Sequence, residues 1–205
     1  MHKLVILGAS GHGKVVADIV RLTGQYDQMV FLDDNESQPP IMGIPVIGDC
    51  GSADKLLQDA DFFVAIGNAK LRKRFLDELI QKGANIATLI HPGAVIGSGV
   101  EIDAGSVVMA GAVLNADCKL GRGCIINTCA SVDHDCIIGD YVHISVGAHL
   151  AGTVAVGNST WIGAGAIVNN NITITESCMI GSGAVVVKDI QQSGTYVGVP
   201  ARRLN

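Results

Sequence analysis

Aromatic side chains are scarce in this chain: one Trp, three Tyr and four Phe among 205 residues. A core with so few rings has to be filled by aliphatic and small residues, and it is therefore narrow. Positive charge is also short, with 14 Lys and Arg against 19 Asp and Glu and a formal net charge of -5. That balance excludes nucleic acid as the main partner. No apolar run approaches the length that crosses a bilayer, and Met1-His2-Lys3-Leu4 lacks the apolar stretch of a signal peptide. No membrane partner is expected, and a cytoplasmic location is. None of the six cysteines forms a C-x-x-C pair, which argues against a zinc cluster.

Regularity is what the chain does have. From Ile90 to Gln191 an aliphatic residue opens each of seventeen consecutive hexads, from Ile90, Ile96, Ile102 and Val108 through to Ile174, Ile180 and Val186, with no insertion. A period of six fits neither a helix nor an isolated strand. It fits a stacked β-solenoid in which three hexads make one coil. The fourth place of each hexad favours Gly, Asn or Asp, the residues that best tolerate positive φ at a tight corner. Cys118, Cys124, Cys136 and Cys178 share the fifth place with Ala112, Ala130 and Ala148. They read as compact core fillers in a reduced compartment.

Different rules govern the first 85 residues. The apolar run 3–8 ends in Gly8-Ala9-Ser10-Gly11-His12-Gly13, followed by a helical pattern with Val15, Val16, Ile19, Val20 and Leu22 on one face. Strands are expected at Met29–Leu32, ending at Asp33-Asp34, and at Asp61–Ile66, ending at Gly67-Asn68 before a helix near Leu71–Gln81. This is the order of a small parallel, Rossmann-like α/β domain. The division is placed at 1–85 and 86–205, the second part being an all-β parallel helix with a short tail.

The sixth place of each hexad should face outward, and places 18 apart should stack. One outward column holds Val95, Val113, Ser131, His149, Ile167 and Val185, and a second holds Val107, Ile125, His143, Trp161 and Met179. Both are too apolar for solvent, so a homotrimer with clefts between neighbours is expected.

Within this frame a few residues can carry chemistry. His134 stands at a corner with Asp135 beside it and Gly152 one coil later in the same column, where a missing side chain leaves room for a ligand. A neutral imidazole can take a proton from an attacking amine, and a carboxylate can fix its tautomer. A surface His followed by a turn Asp is the alternative on sequence alone. His143, in an apolar outward column, reads equally as an interface residue, and Asn127 as a corner amide. The amino-terminal glycine turn can cradle a phosphate on helix N–H groups or can be purely structural. It is G-x-x-G-x-G rather than G-x-G-x-x-G, so a nicotinamide dinucleotide is not supported.

These motifs, together with Phe31-Leu32-Asp33-Asp34, Ala65-Ile66-Gly67-Asn68, His134-Asp135-Cys136-Ile137-Ile138-Gly139 and Val197-Gly198-Val199-Pro200-Ala201, occur in one order. In that order the whole chain resembles the hexapeptide-repeat acyltransferases with a left-handed parallel β-helix. Within them it looks like the bacterial N-acetyltransferases that acylate the 4-amino group of a UDP-linked deoxysugar in glycan biosynthesis. Sialic acid O-acetyltransferases and enzymes for GDP-linked amino sugars share much of the pattern and stand as alternatives, and a non-catalytic scaffold is a third. The resemblance implies acetyl-CoA as co-substrate and no metal. It places the general base at His134 with Asp135, the acetyl group near His143, and Asn127 close to the base. Coenzyme A would run past His143, Gly152, Ala164 and Ser182. The UDP-amino-sugar would meet Ser10, Gly11, His12, Asp33, Asp34, Gly67 and Asn68.

Overall fold

The computed structural model describes residues 2–35 and 37–204. It divides into two compact units, Met1–Pro92 and Gly93–Asn205.

In the first unit a parallel four-stranded sheet runs in the order β2 (Gln28–Leu32), β1 (Lys3–Leu7), β3 (Asp61–Val64), β4 (Asn85–Ile86). Flanked on both sides, β1 buries Leu4 to Leu7 completely, which explains its unbroken apolar run. Helix α1 (Gly11–Thr23) follows β1, and helix α2 (Ala69–Gln81) follows β3. The buried stripe of α1 is Gly13, Val16, Ala17, Ile19 and Val20, while Val15 and Leu22 face solvent. The expected face was thus set about one residue off: at 3.6 residues per turn, Val15 and Leu22 lie beside the stripe rather than on it. Between β2 and β3 the chain makes a structured excursion. Phe31 donates its amide to Pro45 and accepts from Ile47, which extends the sheet edge, before a 3-10 helix at Cys50–Leu56.

The second unit is a parallel solenoid. Two-residue strands stack in exact 18-residue register, as in Ile125 with Val107 and His143, and Ser131 with Val113 and His149. The ladder uses the amides of the sixth, second and fourth places: Val113 donates to Ala130, Asn115 to Val132, and Asp117 to Ser98. The fourth-place corners adopt positive φ without interruption from Gly99 to Gly183. Cys129, Tyr141, Thr153, Ser159 and Ser177 are bent into that conformation too. Stacking therefore imposes the left-handed corner, and side-chain preference only favours it.

First-place aliphatics and fifth-place small residues form one continuous core, including Leu114, Cys118, Ile126, Ala130, Val132 and Cys136. The fifth place is more than a small slot. Ser106 donates to the Gly121 carbonyl, Cys118 to Asp133, Cys124 to Gly139, Cys136 to Ala151 and Thr160 to Thr175, always fifteen residues on. Ser, Thr and Cys alternate with Ala there because a hydroxyl or thiol can tie one coil to a carbonyl of the next. The outward columns are partly as expected: Val95, Ile167 and Met179 are exposed, but Val107 and Ile125 are buried within the single chain. Thr195–Val197 adds a last parallel rung to Met179–Ile180, and Arg202–Arg203 pairs back on it antiparallel.

Two glycines two residues apart separate the reasons for glycine here. Gly165 has φ +65 with open space where a Cβ would stand, whereas at Gly163 a Cβ would sit 2.5 Å from the Ile180 carbonyl oxygen. We expect Gly165→Ala to lower stability by about 1 kcal/mol, the cost of a left-handed L-residue. Gly163→Ala should cost several-fold more in a denaturant titration, because a coil must shift. Equal costs would show that corner dihedrals alone govern the stacking.

Candidate active site

His134 projects from the corner between strands Ser131–Val132 and Ile137–Ile138. Its Nδ1 lies 2.7 Å from Oδ2 of Asp135, itself bent to φ 59. A carboxylate only accepts, so Nδ1 carries a proton, and in the neutral ring Nε2 is the basic nitrogen. The ring is stacked over Gly152, where an added Cβ would come 2.5 Å from Nε2. The room left by Gly152 is therefore occupied by the imidazole rather than held open for a ligand. Hydrogen bonding to Asp135 chiefly, with the charges of Asp133 and Asp135 adding to it, raises the His134 pKa above the ordinary imidazole value. The pair is exposed, so screening by water limits that effect.

His143 is held differently. The Asn127 side-chain oxygen accepts the Thr128 amide at 2.8 Å, which turns its Nδ2 toward His143 Nε2 at 3.0 Å. An amide nitrogen only donates, so Nε2 accepts and the ring proton resides on Nδ1. Trp161 packs edge-on against the ring at 6.4 Å. In the neutral tautomers these partners select, His143 carries an N–H on Nδ1 and His134 a lone pair on Nε2. His149 is tied to Ser131 at 2.8 Å.

The structure does not join the two histidines within one chain. His143 belongs to one sheet, His149 and Ser131 to the next, and the His134 corner lies beyond that second sheet. A whole face of the prism stands between them. Ala164 and Ser182 are exposed and stacked on the edge next to the His143 face, tied by the Gly183 amide to the Ala164 carbonyl at 2.9 Å. Gly152 is on the His134 edge instead, so the four residues expected along coenzyme A divide between two edges.

In the first unit the glycine turn has unequal members. A Cβ on Gly8 would meet the Ala65 carbonyl at 2.7 Å, and one on Gly13 would meet the Gly8 carbonyl at 2.2 Å. Those two allow close packing, while Gly11 faces open space. Ser10 is the N-cap residue of α1 but makes no side-chain cap, so the first-turn amides are left to another acceptor. Ala9, Ser10, Gly11 and Lys14 line an open cavity of about 430 Å³ whose far wall is Gln38 to Met42. Lys14 and that wall escaped sequence reasoning; the lysine directly after the glycine turn was the available signal.

Other expected contacts are engaged in holding this site together. Asp33 accepts the Ala9 amide at 2.7 Å and the Asn35 amide at 2.9 Å, and Asp34 accepts the Cys50 amide at 3.2 Å. Asn68 caps α2 through the Leu71 amide, and the Gly67 carbonyl accepts from Arg72. Arg72 is 1 % exposed and also donates to the Ile66 carbonyl. It was not foreseen, although it occupies the first position of the buried stripe Arg72, Leu76 and Leu79. His12 is not among the residues lining the cavity. Burial, then the nearby Arg72 charge, pushes its pKa down to about 4, so it is neutral near pH 7 and brings no charge to a phosphate.

Stacked hexad coils bearing an oriented His–Asp pair define a left-handed β-helix acyltransferase. Residues 3–79 match the PglD N-terminal domain family. Over the whole chain, the acetyltransferase domain of PglB from Neisseria gonorrhoeae FA1090, solved with acetyl coenzyme A, is 42% identical with a TM-score of 0.95, covering 99% of each chain. PerB from Caulobacter crescentus, solved with CoA and GDP-perosamine, is 36% identical with a TM-score of 0.94, covering 100% of this chain and 98% of that one. The UDP-N-acetylbacillosamine N-acetyltransferase of Bacillus subtilis (strain 168) is 35% identical over 115 residues, 54% of this chain and about half (52%) of that protein. The chain belongs to the hexapeptide-repeat sugar acetyltransferase family that contains these proteins.

The largely enclosed His12 makes a measurable demand on stability. Its folded pKa of about 4 lies below the ordinary 6.5, so between these values the unfolded chain binds more protons. Stability from this group is present above pH 6.5 and lost as pH falls toward 4, by on the order of 3 kcal/mol in full. Ring NMR should show His12 titrating near pH 4, and His12→Gln should flatten the acid limb of stability. A His12 titration near 6.5 would contradict the burial described.

Proposed function

We propose that this protein transfers an acetyl group from acetyl-CoA to the 4-amino group of a UDP-linked amino deoxysugar in glycan biosynthesis. The observation that carries this reading is the His134–Asp135 pair at an exposed corner, whose 2.7 Å hydrogen bond leaves Nε2 as the one basic ring nitrogen. The amine nitrogen attacks the thioester carbonyl carbon, and His134 Nε2 takes its proton. Asp135 holds the ring and balances the imidazolium. The Nδ1–H of His143 steadies the oxyanion of the tetrahedral intermediate. As the C–S bond breaks, the sulfur leaves with a proton from His134, giving the N-acetyl sugar and free CoA. No side chain is acylated. In the first unit the α1 amides, with Lys14 close by, take the diphosphate, and Asp33 sustains the turn that presents them.

Support for acetyl-CoA comes from the complexes of the PglB domain and PerB with acetyl coenzyme A and CoA. The exposed small residues Ala164 and Ser182 leave the edge clear for a pantetheine arm. Support for UDP comes from the Bacillus subtilis relative, while PerB was solved with GDP-perosamine. Incubation with acetyl-CoA and UDP-4-amino-sugars should give a product heavier by one acetyl group in mass spectrometry. UDP should compete for binding at least tenfold better than GDP or CMP; preference for GDP would redirect the assignment to a GDP-amino sugar. His134→Ala should reduce kcat by at least about 10²-fold.

Because a prism face separates His134 from His143, we infer that each site draws them from two copies in a homotrimer. The exposed apolar residues Val95, Ile167 and Met179 suit such packing. His134→Ala and His143→Ala chains, each of low activity alone, should recover activity when co-assembled. With random trimers of equal input the recovery should approach about a quarter of wild type, one intact site in each mixed trimer. Absence of any recovery in verified mixed trimers would place both histidines' work within one chain.

A further inference from the structure

Among the described residues the backbone ladder of the solenoid serves the second, fourth and sixth places and not the third-place amide, which a side chain can meet instead, as Asp140 does for Arg122 and Asn158 for Asp140 from the coil above. Where that amide belongs to a site residue or its neighbour, the second-place side chain supplies the acceptor. Asn127 does so for Thr128, and Asp133 does so for His134, each at 2.8 Å. The Asp133 oxygen that receives the His134 amide also receives Nδ2 of Asn115, one coil below, at 2.8 Å. The rest of this corner is tied as firmly: the Asp133 amide to Leu150, the His134 carbonyl to Thr153, the Asp135 amide to Ala116. The Asp133 carbonyl accepts the Cys118 thiol at 2.9 Å.

We propose that Asp133, fixed by Asn115, is a positioning residue for the reaction: it sets the backbone from which the His134 ring reaches over Gly152, independently of the hydrogen bond from Asp135 to that ring. This rests on the reading of His134 as the base. Asp135 alone fixes the rotation of the imidazole but not the peptide that carries it. Asp133 fixes that peptide, and a displacement of about 1 Å at a catalytic group costs on the order of 10²-fold in rate. Asp133 differs from Asn127 in being charged. The negative charges acting on the ring from its own strand are Asp133 and Asp135. The coil above offers Gly152 and Thr153, and the coil below offers the neutral Asn115 and, beneath Asp135, Asp117. Asp133 thus contributes an acceptor and a charge, and these can be separated experimentally.

The experiment compares Asp133→Asn, Asp133→Ala and Asn115→Ala in the full-length protein, with Asp135→Asn as a reference. Asp133→Asn keeps the acceptor, as Asn127 does, and loses the charge. Its kcat should fall by only about threefold, while the acid limb of the pH–rate profile moves to lower pH because the less basic ring stays deprotonated further down. Asp133→Ala should lose about 10- to 100-fold in kcat with KM for both substrates nearly unchanged, and Asn115→Ala should fall between the two. A role confined to stability would lower the melting temperature without moving the acid limb. Ring NMR of His134 in the absence of substrate provides a readout apart from activity. A His134 titration that moves in Asp133→Asn, with a pH–rate profile that ignores it, would overturn the base assignment while sustaining the positioning. Wild-type kcat, profile and ring titration in both Asp133 variants would overturn the proposal. Should Asp133→Ala fail to fold, the near-isosteric Asp133→Asn still decides through its profile and ring titration.

Discussion

The 18-residue register of the backbone ladder is the constraint from which the rest of the solenoid follows. Once strands such as Val107, Ile125 and His143 stand directly over one another, every corner must turn at the same place in the hexad. The turn has one solution, a left-handed residue at the fourth place, even where Thr153 or Tyr141 has to adopt it. The core is then only as wide as two aliphatic side chains and a small one. This accounts for the shortage of aromatics and for the Ala, Ser, Thr and Cys of the fifth place. The hydroxyls and thiols there return some of the cost of burying a polar atom by bonding to a carbonyl of the next coil.

The repeating half was legible because periodicity reports burial, and burial is what the ladder repeats. The aliphatic first place, the corner and the small fifth place all follow from one stacking rule, and the chain states that rule seventeen times. Less legible were contacts that no period in the sequence connects. Asp33 read as a ligand contact, yet its carboxylate clamps the Ala9 and Asn35 amides. Arg72, unmarked by any motif, is buried against the Ile66 and Gly67 carbonyls. The wall from Gln38 to Met42 carries no period at all, so nothing marked it as lining a cavity beside the glycine turn. Gly152 was singled out for the right column and the wrong reason, since the volume it vacates belongs to the imidazole.

The two histidines show how one scaffold can present opposite ends of the same ring. Each ring has one nitrogen beside an oriented polar side chain. A carboxylate on Nδ1 of His134 leaves a lone pair on Nε2, and an amide on Nε2 of His143 leaves an N–H on Nδ1. The partner's chemistry decides which, and the partner is in turn decided by its own backbone bond, as with the Thr128 amide that orients Asn127. An acceptor for a proton and a donor for an oxyanion are the two functions that acyl transfer to an amine demands. The solenoid holds one on a sheet face and the other at a corner, with a whole face between them, and the homotrimer proposed above would bring them together.

A repeating scaffold also makes its chemistry visible as departure from the repeat. At the second place of the His134 column, Gly97, Asn115, Asp133, Ala151 and Asn169 follow one another, and only Asp133 is charged. At the third place His134 stands directly below Gly152, a large polar ring paired with the smallest residue. Neither choice helps the coil to stack. A corner amide needs an acceptor but not an ionised one, and a β-solenoid corner has no structural use for an imidazole lying across its neighbour. Residues that the ladder does not require, at places the ladder leaves unsatisfied, are where a fold built on uniform spacing has freedom to place catalytic groups.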